Sequence, residues 1–152
     1  MSDIKRMCVG FAFDKETHDR VLMIRKNRPE WQKGKLNGVG GHIEDGEKEH
    51  DAMAREFMEE TGLSVPAENW QLFVTMAGKG WVLYTFCAEI SYKNMLGART
   101  TTDEGVDVWL LESLLLGGTA RECVPNSAWL LPMARDFLTN KYGPMYARVY
   151  YG

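Results

Sequence analysis

The residues whose types and spacing suit them to chemistry are three glutamates, Glu56, Glu59 and Glu60, in the stretch "REFMEETGL". The pattern predicts a helix from about Gly46 to Thr61, with Gly62 as its stop. Its last turn is therefore acidic, where the helix dipole disfavours carboxylates by roughly 0.3–1 kcal/mol each. Glu56 and Glu60 also repel as an i,i+4 pair. Taking Glu56 as zero at about 100° per residue, Glu59, Glu60, Glu49 and Ala52 fall within roughly 60° of it. Phe57, Ala54 and Met58 fall at about 100–200° and form the predicted core-facing arc. Arg55 flanks the acidic arc and is suited to hold a carboxylate through a forked bond. Two readings fit the charge pattern, a solvated acidic face and a site for a divalent cation. The glycines just upstream, Gly38, Gly40, Gly41 and Gly46, let the backbone approach a ligand closely and favour the second. Magnesium takes oxygen ligands and commonly bridges to phosphates, so the chemistry indicated is metal-assisted phosphoryl transfer.

Elements that would position this helix can be read on either side of it. "RMCVGFAFD" (6–14) and "RVLMIRK" (20–26) are apolar, β-prone runs around the polar turn "KETHD", a predicted hairpin. "NRPEWQKGKLNGVGG" reads as one long ligand-contacting loop. "WQLFVTMAG" and "WVLYTFCAEIS" predict a second hairpin joined through Gly78, Lys79 and Gly80, and "GVDVWLLESL" a strand entering a turn or short helix. "NSAWLLPMARDFLTN" predicts a helix capped by the Asn126 or Ser127 side chain and interrupted at Pro132. The aromatic tail from Tyr142 to Tyr151 reads as a last strand or an extension packed on the same chain. Strands interspersed with helices imply an α/β fold, a mixed sheet covered by helices.

Composition narrows the class. With 152 residues, 45% hydrophobic and 26% charged, residues 1–152 are expected to form a single domain. The net charge of −3 and the mixing of signs argue against a nucleic-acid or membrane-surface partner. A small anionic substrate held through a metal remains compatible. Cys8, Cys87 and Cys123 are odd in number and widely spaced, which implies reduced thiols rather than zinc ligands or disulfides. The N-terminus has no signal-like apolar run, and a cytoplasmic location is expected. Monomer and homodimer both stay open.

The residues fill a known signature without a gap. Gly41, Glu47, and Arg55-Glu56-Phe57-Met58-Glu59-Glu60-Thr61-Gly62-Leu63 match the Nudix box, GX5EX7REUXEEXGU, at every specified position. The chain thus resembles the Nudix hydrolases. The resemblance implies an α/β/α sandwich whose box forms a loop-helix-loop, and cleavage of a nucleoside diphosphate linked to a further group. It implies that Glu56, Glu59 and Glu60 ligate Mg²⁺ (or Mn²⁺), with the Gly40 carbonyl as a further ligand. Arg55 would orient the glutamates, and Glu47 would be a supporting contact near Gly41. The catalytic base varies within the family; Glu56, Glu59 and Glu104 are the candidates here. Glu104, in "TTDEGVDVW", stands where several relatives carry a metal-binding or basic glutamate, and a surface loop glutamate is the alternative reading.

The box leaves the nucleotide open. "KLNGVGGHIEDGE" is similar to the approach to the box in MutT-type enzymes that act on oxidised purine triphosphates, with Asn37 as a base contact or simply a turn residue before Gly38. Lys35-Leu36 replaces a tryptophan-bearing sequence of that approach. "CVPNSAWLLP" resembles the segment that holds the purine in those enzymes, but Asn126 and Ser127 stand where a pair of acids would be. Of Arg25, Lys26, Lys33 and Lys35, one is expected to meet the outer phosphates. Trp31 is a candidate to stack on a base, or to pack against the sheet. Markers of the ADP-ribose, dinucleoside polyphosphate, NADH and coenzyme A enzymes are missing. The expected reaction is therefore hydrolysis of a (deoxy)nucleoside triphosphate to monophosphate and pyrophosphate. An ADP-ribose or nucleotide-sugar pyrophosphatase, and a nucleotide-binding sensor without turnover, are the alternatives.

Overall fold

A computed structural model describes residues 3–140 and 143–150. Strand β1 (Lys5–Asp14) is its axis: every residue from Val9 to Phe13, Gly10 included, is buried. One edge of β1 pairs in parallel with β6 (Trp81–Ile90) along its whole length. The other edge is shared. Its first half pairs with β4 (Val39–His42), and at Phe13 it meets β2 (Arg20–Arg25). β2 in turn pairs with β3 (Leu36–Asn37) and with β7 (Gly105–Leu110). Beyond β6 lie β5 (Gln71–Gly78) and then β8 (Met145–Arg148), parallel to β5. This is a mixed sheet of eight strands.

Helices cover both faces, as the α/β/α expectation requires. Helix α1 (Glu49–Thr61) packs on one face through Ala52, Met53 and Phe57, against Leu22, Ile24, Phe86 and Trp70. The one-turn helix α2 (Tyr92–Met95) adds Met95 to that layer. Helices α3 (Leu111–Leu116) and α4 (Ser127–Asn140) cover the opposite face over Phe11, Phe13, Met23 and Phe73. Among the described residues no helix is long and apolar enough to cross a membrane.

Several boundaries differ from the sequence reading. α1 begins at Glu49, three residues after Gly46, because Glu44–Lys48 are used in a turn that aims Glu47 at Arg55. It ends as expected: Gly62 is left-handed at φ 75° and its N–H caps Met58. The predicted loop 27–41 is broken by β3 and β4, so Gly40 and Gly41 lie in a strand. α4 runs through Pro132 without interruption, a tolerated loss of one hydrogen bond near its start. Neither Asn126 Oδ1 nor Ser127 Oγ has a hydrogen-bond partner, so the expected side-chain cap is not made. The described part of the tail does form a strand, whereas Tyr142 and Tyr151 lie outside the described residues. All three cysteines are free and buried, and burial pushes the Cys8 and Cys87 thiols up to about 12.

The roll of α1 is the consequential difference. Met58, expected in the core, is 48% exposed, while Glu60 is only 8% exposed. The buried arc is centred between Ala52 and Thr61, so it overlaps the acidic arc at Glu60. Phe57, fully buried, meets Trp70 edge to face at 5.0 Å and fixes that roll. Phe57→Ala should therefore cost about 3–5 kcal/mol in urea unfolding. Met58→Ala should stay within about 1 kcal/mol, as surface changes do; equal losses would contradict the roll.

Candidate active site

Arg55 is the hub of the first half of the site. Its Nε and one terminal nitrogen hold the two Glu47 oxygens at 2.8 and 2.9 Å. The other terminal nitrogen reaches Glu56 at 2.9 Å and Glu59 at 3.3 Å, while the nitrogen on Glu47 also donates to the His42 carbonyl at 3.1 Å. Arg55 thus fixes two box glutamates and is itself fixed by a third. Its guanidinium, with the Glu44 N–H, holds Glu47 below the usual carboxylate range despite partial burial.

Glu56 is pressed against β4. A Cβ on Gly41 would lie 2.6 Å from the Glu56 carboxylate carbon, so the missing side chain is what seats that carboxylate. Burial raises the Glu56 pKa; Arg55 opposes the rise, and Glu59 and Glu47 add to it. Glu59 is more exposed, and its backbone carbonyl accepts from the Thr101 hydroxyl. Glu49, on the expected acidic arc, is taken out of the cluster by Arg6 at 2.6 Å.

Glu60 belongs to the second half. Its Oε2 is buried without a hydrogen-bond partner. Burial pushes its pKa up to about 7, eased by Lys26 and reinforced by the charges of Glu56, Glu104 and Glu59. Lys26, at the end of β2, binds Glu104 at 3.1 Å, and the Asn27 N–H donates to the other Glu104 oxygen. Glu104 is 3% exposed, so the surface-loop reading does not hold. Next to it, Asp103 accepts from Asn27 Nδ2 at 2.7 Å and from Arg28 at 2.8 and 3.0 Å. Three consecutive residues, Lys26, Asn27 and Arg28, thus clasp two consecutive acids. Sequence reasoning missed this clasp, because its halves are 75 to 78 positions apart.

The carboxylates are held apart: Glu56 and Glu59 on Arg55, Glu104 on Lys26, Glu60 on none. Among the described residues no three acid, histidine or cysteine side chains already converge as a metal cage.

The expected substrate contacts are mixed. Arg25 is occupied by the Gly34 carbonyl at 2.8 Å and Glu122 at 3.1 Å. Asn37 Oδ1 accepts from the Gly38 N–H, the turn role, while its Nδ2 reaches Gln32 at 3.3 Å. Val124 N–H bonds the Leu36 carbonyl at 2.9 Å, which ties the Asn126 segment to β3. Trp31 is 62% exposed and does not pack on the sheet.

Comparison with known proteins gives a matching family model, described as NUDIX domain, over residues 5–124. Asn126 and the whole of α4 lie beyond that match. No curated protein sequence matches the chain. Similar solved structures include a mutator MutT protein from Bacillus halodurans (20% identity, TM-score 0.68, 97% of this chain and 90% of that one). The NUDIX domain of Shewanella oneidensis NrtR, complexed with ADP ribose, is also similar (17% identity, TM-score 0.71, 91% and 90% covered). A MutT/nudix family protein from Enterococcus faecalis matches 72% of this chain at 18% identity and TM-score 0.62; the chain spans 45% of that protein's length. At such identities the likeness concerns the fold.

Gly41→Ala should displace Glu56 from Arg55 and leave the fold intact, with Tm within about 5 °C because the clash is with a side-chain end. A crystal structure of the variant checks this. Glu56 still seated on Arg55, with β4 displaced instead, would contradict it.

Proposed function

The chain belongs to the Nudix family, and from that premise we propose that it is a Mg²⁺-dependent pyrophosphohydrolase, with Mn²⁺ able to substitute. Its substrate is a (deoxy)nucleoside triphosphate, split into monophosphate and pyrophosphate. The observation that carries the reading is the Glu60 carboxylate, buried and half unpartnered among Glu56, Glu59 and Glu104. Buried polar atoms are nearly always satisfied, and an acid surrounded by acids is complemented by a hard cation. The donor chemistry suits that group, although no three of these side chains converge among the described residues: Glu56, Glu59, Glu60 and Glu104 would offer carboxylate oxygens, and Gly40 a backbone carbonyl.

A divalent cation held there would neutralise phosphate oxygens and acidify a water molecule. The rest falls to the chain. Arg55 keeps Glu56 and Glu59 oriented, and Glu47 keeps Arg55 in place. Glu56, Glu59 and Glu104 are the groups available to take the proton of the attacking water. Lys26 suits the outer phosphates better than Arg25, since its bond to Glu104 holds it beside the acids, whereas Arg25 is bonded to the Gly34 carbonyl and Glu122. Asn37 has one oxygen committed to Gly38, which weakens its case as a base contact; Asn126 keeps Oδ1 unpartnered.

The test is pyrophosphate and phosphate release from a panel of nucleoside triphosphates, ADP-ribose, a nucleotide sugar and a dinucleoside polyphosphate. Pyrophosphate from triphosphates is expected, and Glu56→Gln should lower turnover by about 100-fold or more. Turnover of ADP-ribose alone would overturn the substrate, and full activity of Glu56→Gln would overturn the metal assignment.

A further inference from the structure

Strand β8 ends the sheet: it pairs in parallel with β5, and among the described residues no strand lies against its other edge. Both β8 and α4 follow residues 5–124, so this edge is outside the family match. Open edges are normally blunted by lysines, prolines, bulges or a covering segment. Between Met145 and Tyr150 the one charge is Arg148, while Met145, Tyr146 and Tyr150 are 45%, 65% and 81% exposed. On the α4 face of this edge, Phe73, Met133, Asp136, Phe137 and Met145 line a mainly apolar cavity of ≈ 310 Å³.

The backbone decides which groups face outward. The Val149 N–H donates to the Ala77 carbonyl at 3.0 Å, so Met145, Ala147 and Val149 turn their N–H and C=O groups toward β5. Tyr146 and Arg148, which alternate with them, turn theirs outward. Side chains alternate with the same period. Ala147 and Val149 pack on the core under α4, whereas Tyr146, Arg148 and Tyr150 share the other face. There the Tyr146 and Tyr150 hydroxyls flank the Arg148 guanidinium.

A second copy, related by a two-fold axis normal to the sheet, runs antiparallel to β8 and keeps each face on its own side. With the axis at Ala147, Tyr146 faces Arg148 of the second copy, and the two exchange their outward N–H and C=O groups. The ring and the guanidinium of such a cross-strand pair attract. Met145 then faces Val149 of the second copy beside the apolar cavity. An axis at Arg148 would oppose like charges. One at Tyr146 would set Arg148 against Pro144, which has no N–H to give.

We propose that β8 is the docking edge for a second copy of this chain, which joins the two sheets antiparallel about Ala147. The contact is isologous, so it closes at two chains. It lies outside the carboxylate site and does not depend on the reaction proposed above.

The test is sedimentation velocity of the full chain from about 1 to 300 μM, a range that covers weak dimers with short interfaces. A reversible monomer–dimer equilibrium is expected, with no larger species. Tyr146→Pro removes an outward N–H and spares the β5 ladder. It should weaken the dimer at least about tenfold while the far-UV circular dichroism stays that of the wild type. Ala147→Cys reads the register without relying on the folding of the proline variant. At the axis this residue meets its own copy in a non-hydrogen-bonded pair, with about 4.5 Å between Cα atoms, which is within disulfide reach. Mild oxidation should therefore link Ala147→Cys chains in pairs, and Met145→Cys chains at least about tenfold more slowly. The native Cys8, Cys87 and Cys123 are buried and do not compete. A wild type that stays monomeric throughout would overturn the inference and leave the edge to a strand of another protein. So would species larger than a dimer, a dimer unaffected by a folded Tyr146→Pro chain, or equal cross-linking of the two cysteine variants.

Discussion

The carboxylate of Glu60 is buried at the junction of helix and sheet with one lysine nearby and three other acids around it. Burying a charge without full pairing is costly, and the surrounding structure is arranged so that this cost is confined to one group. Arg55 removes Glu56 and Glu59 from the problem by direct bonds, and Arg6 removes Glu49. Lys26 and the Asn27 N–H do the same for Glu104. What remains is a single frustrated oxygen, held in place by Phe57, which lies on the same helix and packs against Trp70. Local rules broken at one point and respected elsewhere are the usual mark of a functional site.

The sheet supplies the geometry for this. Because β1 changes partner from β4 to β2 partway along, β4 ends beside α1, where Gly41 receives the Glu56 carboxylate. The β2 strand end, by contrast, delivers Lys26, Asn27 and Arg28 to the acids that precede β7. The carboxylate cluster therefore joins two separately positioned halves, one on the helix and one on the sheet.

The box and its helix were legible in the sequence because their contacts are local: Gly62, Arg55 and the glutamates sit within a few turns of one another. The hairpins were legible from alternation and turn residues such as Gly80, whose φ is 78°. The roll of α1 was not, since Met58 and Met53 are equally apolar and only the tertiary fit to Trp70 and Phe86 chooses between them. The clasp between 26–28 and 103–104 was invisible for a different reason: Lys26 and Glu104 were each singled out as candidates, but pairing them requires knowing that β2 and β7 are neighbours.

The proposed metal site requires Glu60 to be electrostatically frustrated until a cation arrives. Thermal unfolding of the wild type and Glu60→Gln, each with EDTA and with saturating Mg²⁺, tests it most directly. Without metal the variant should melt higher, by roughly 2–4 °C for each kcal/mol of repulsion relieved. Mg²⁺ should raise the Tm of the wild type and barely move that of the variant. A variant that melts lower in EDTA, or an equal Mg²⁺ shift in both proteins, would contradict the account.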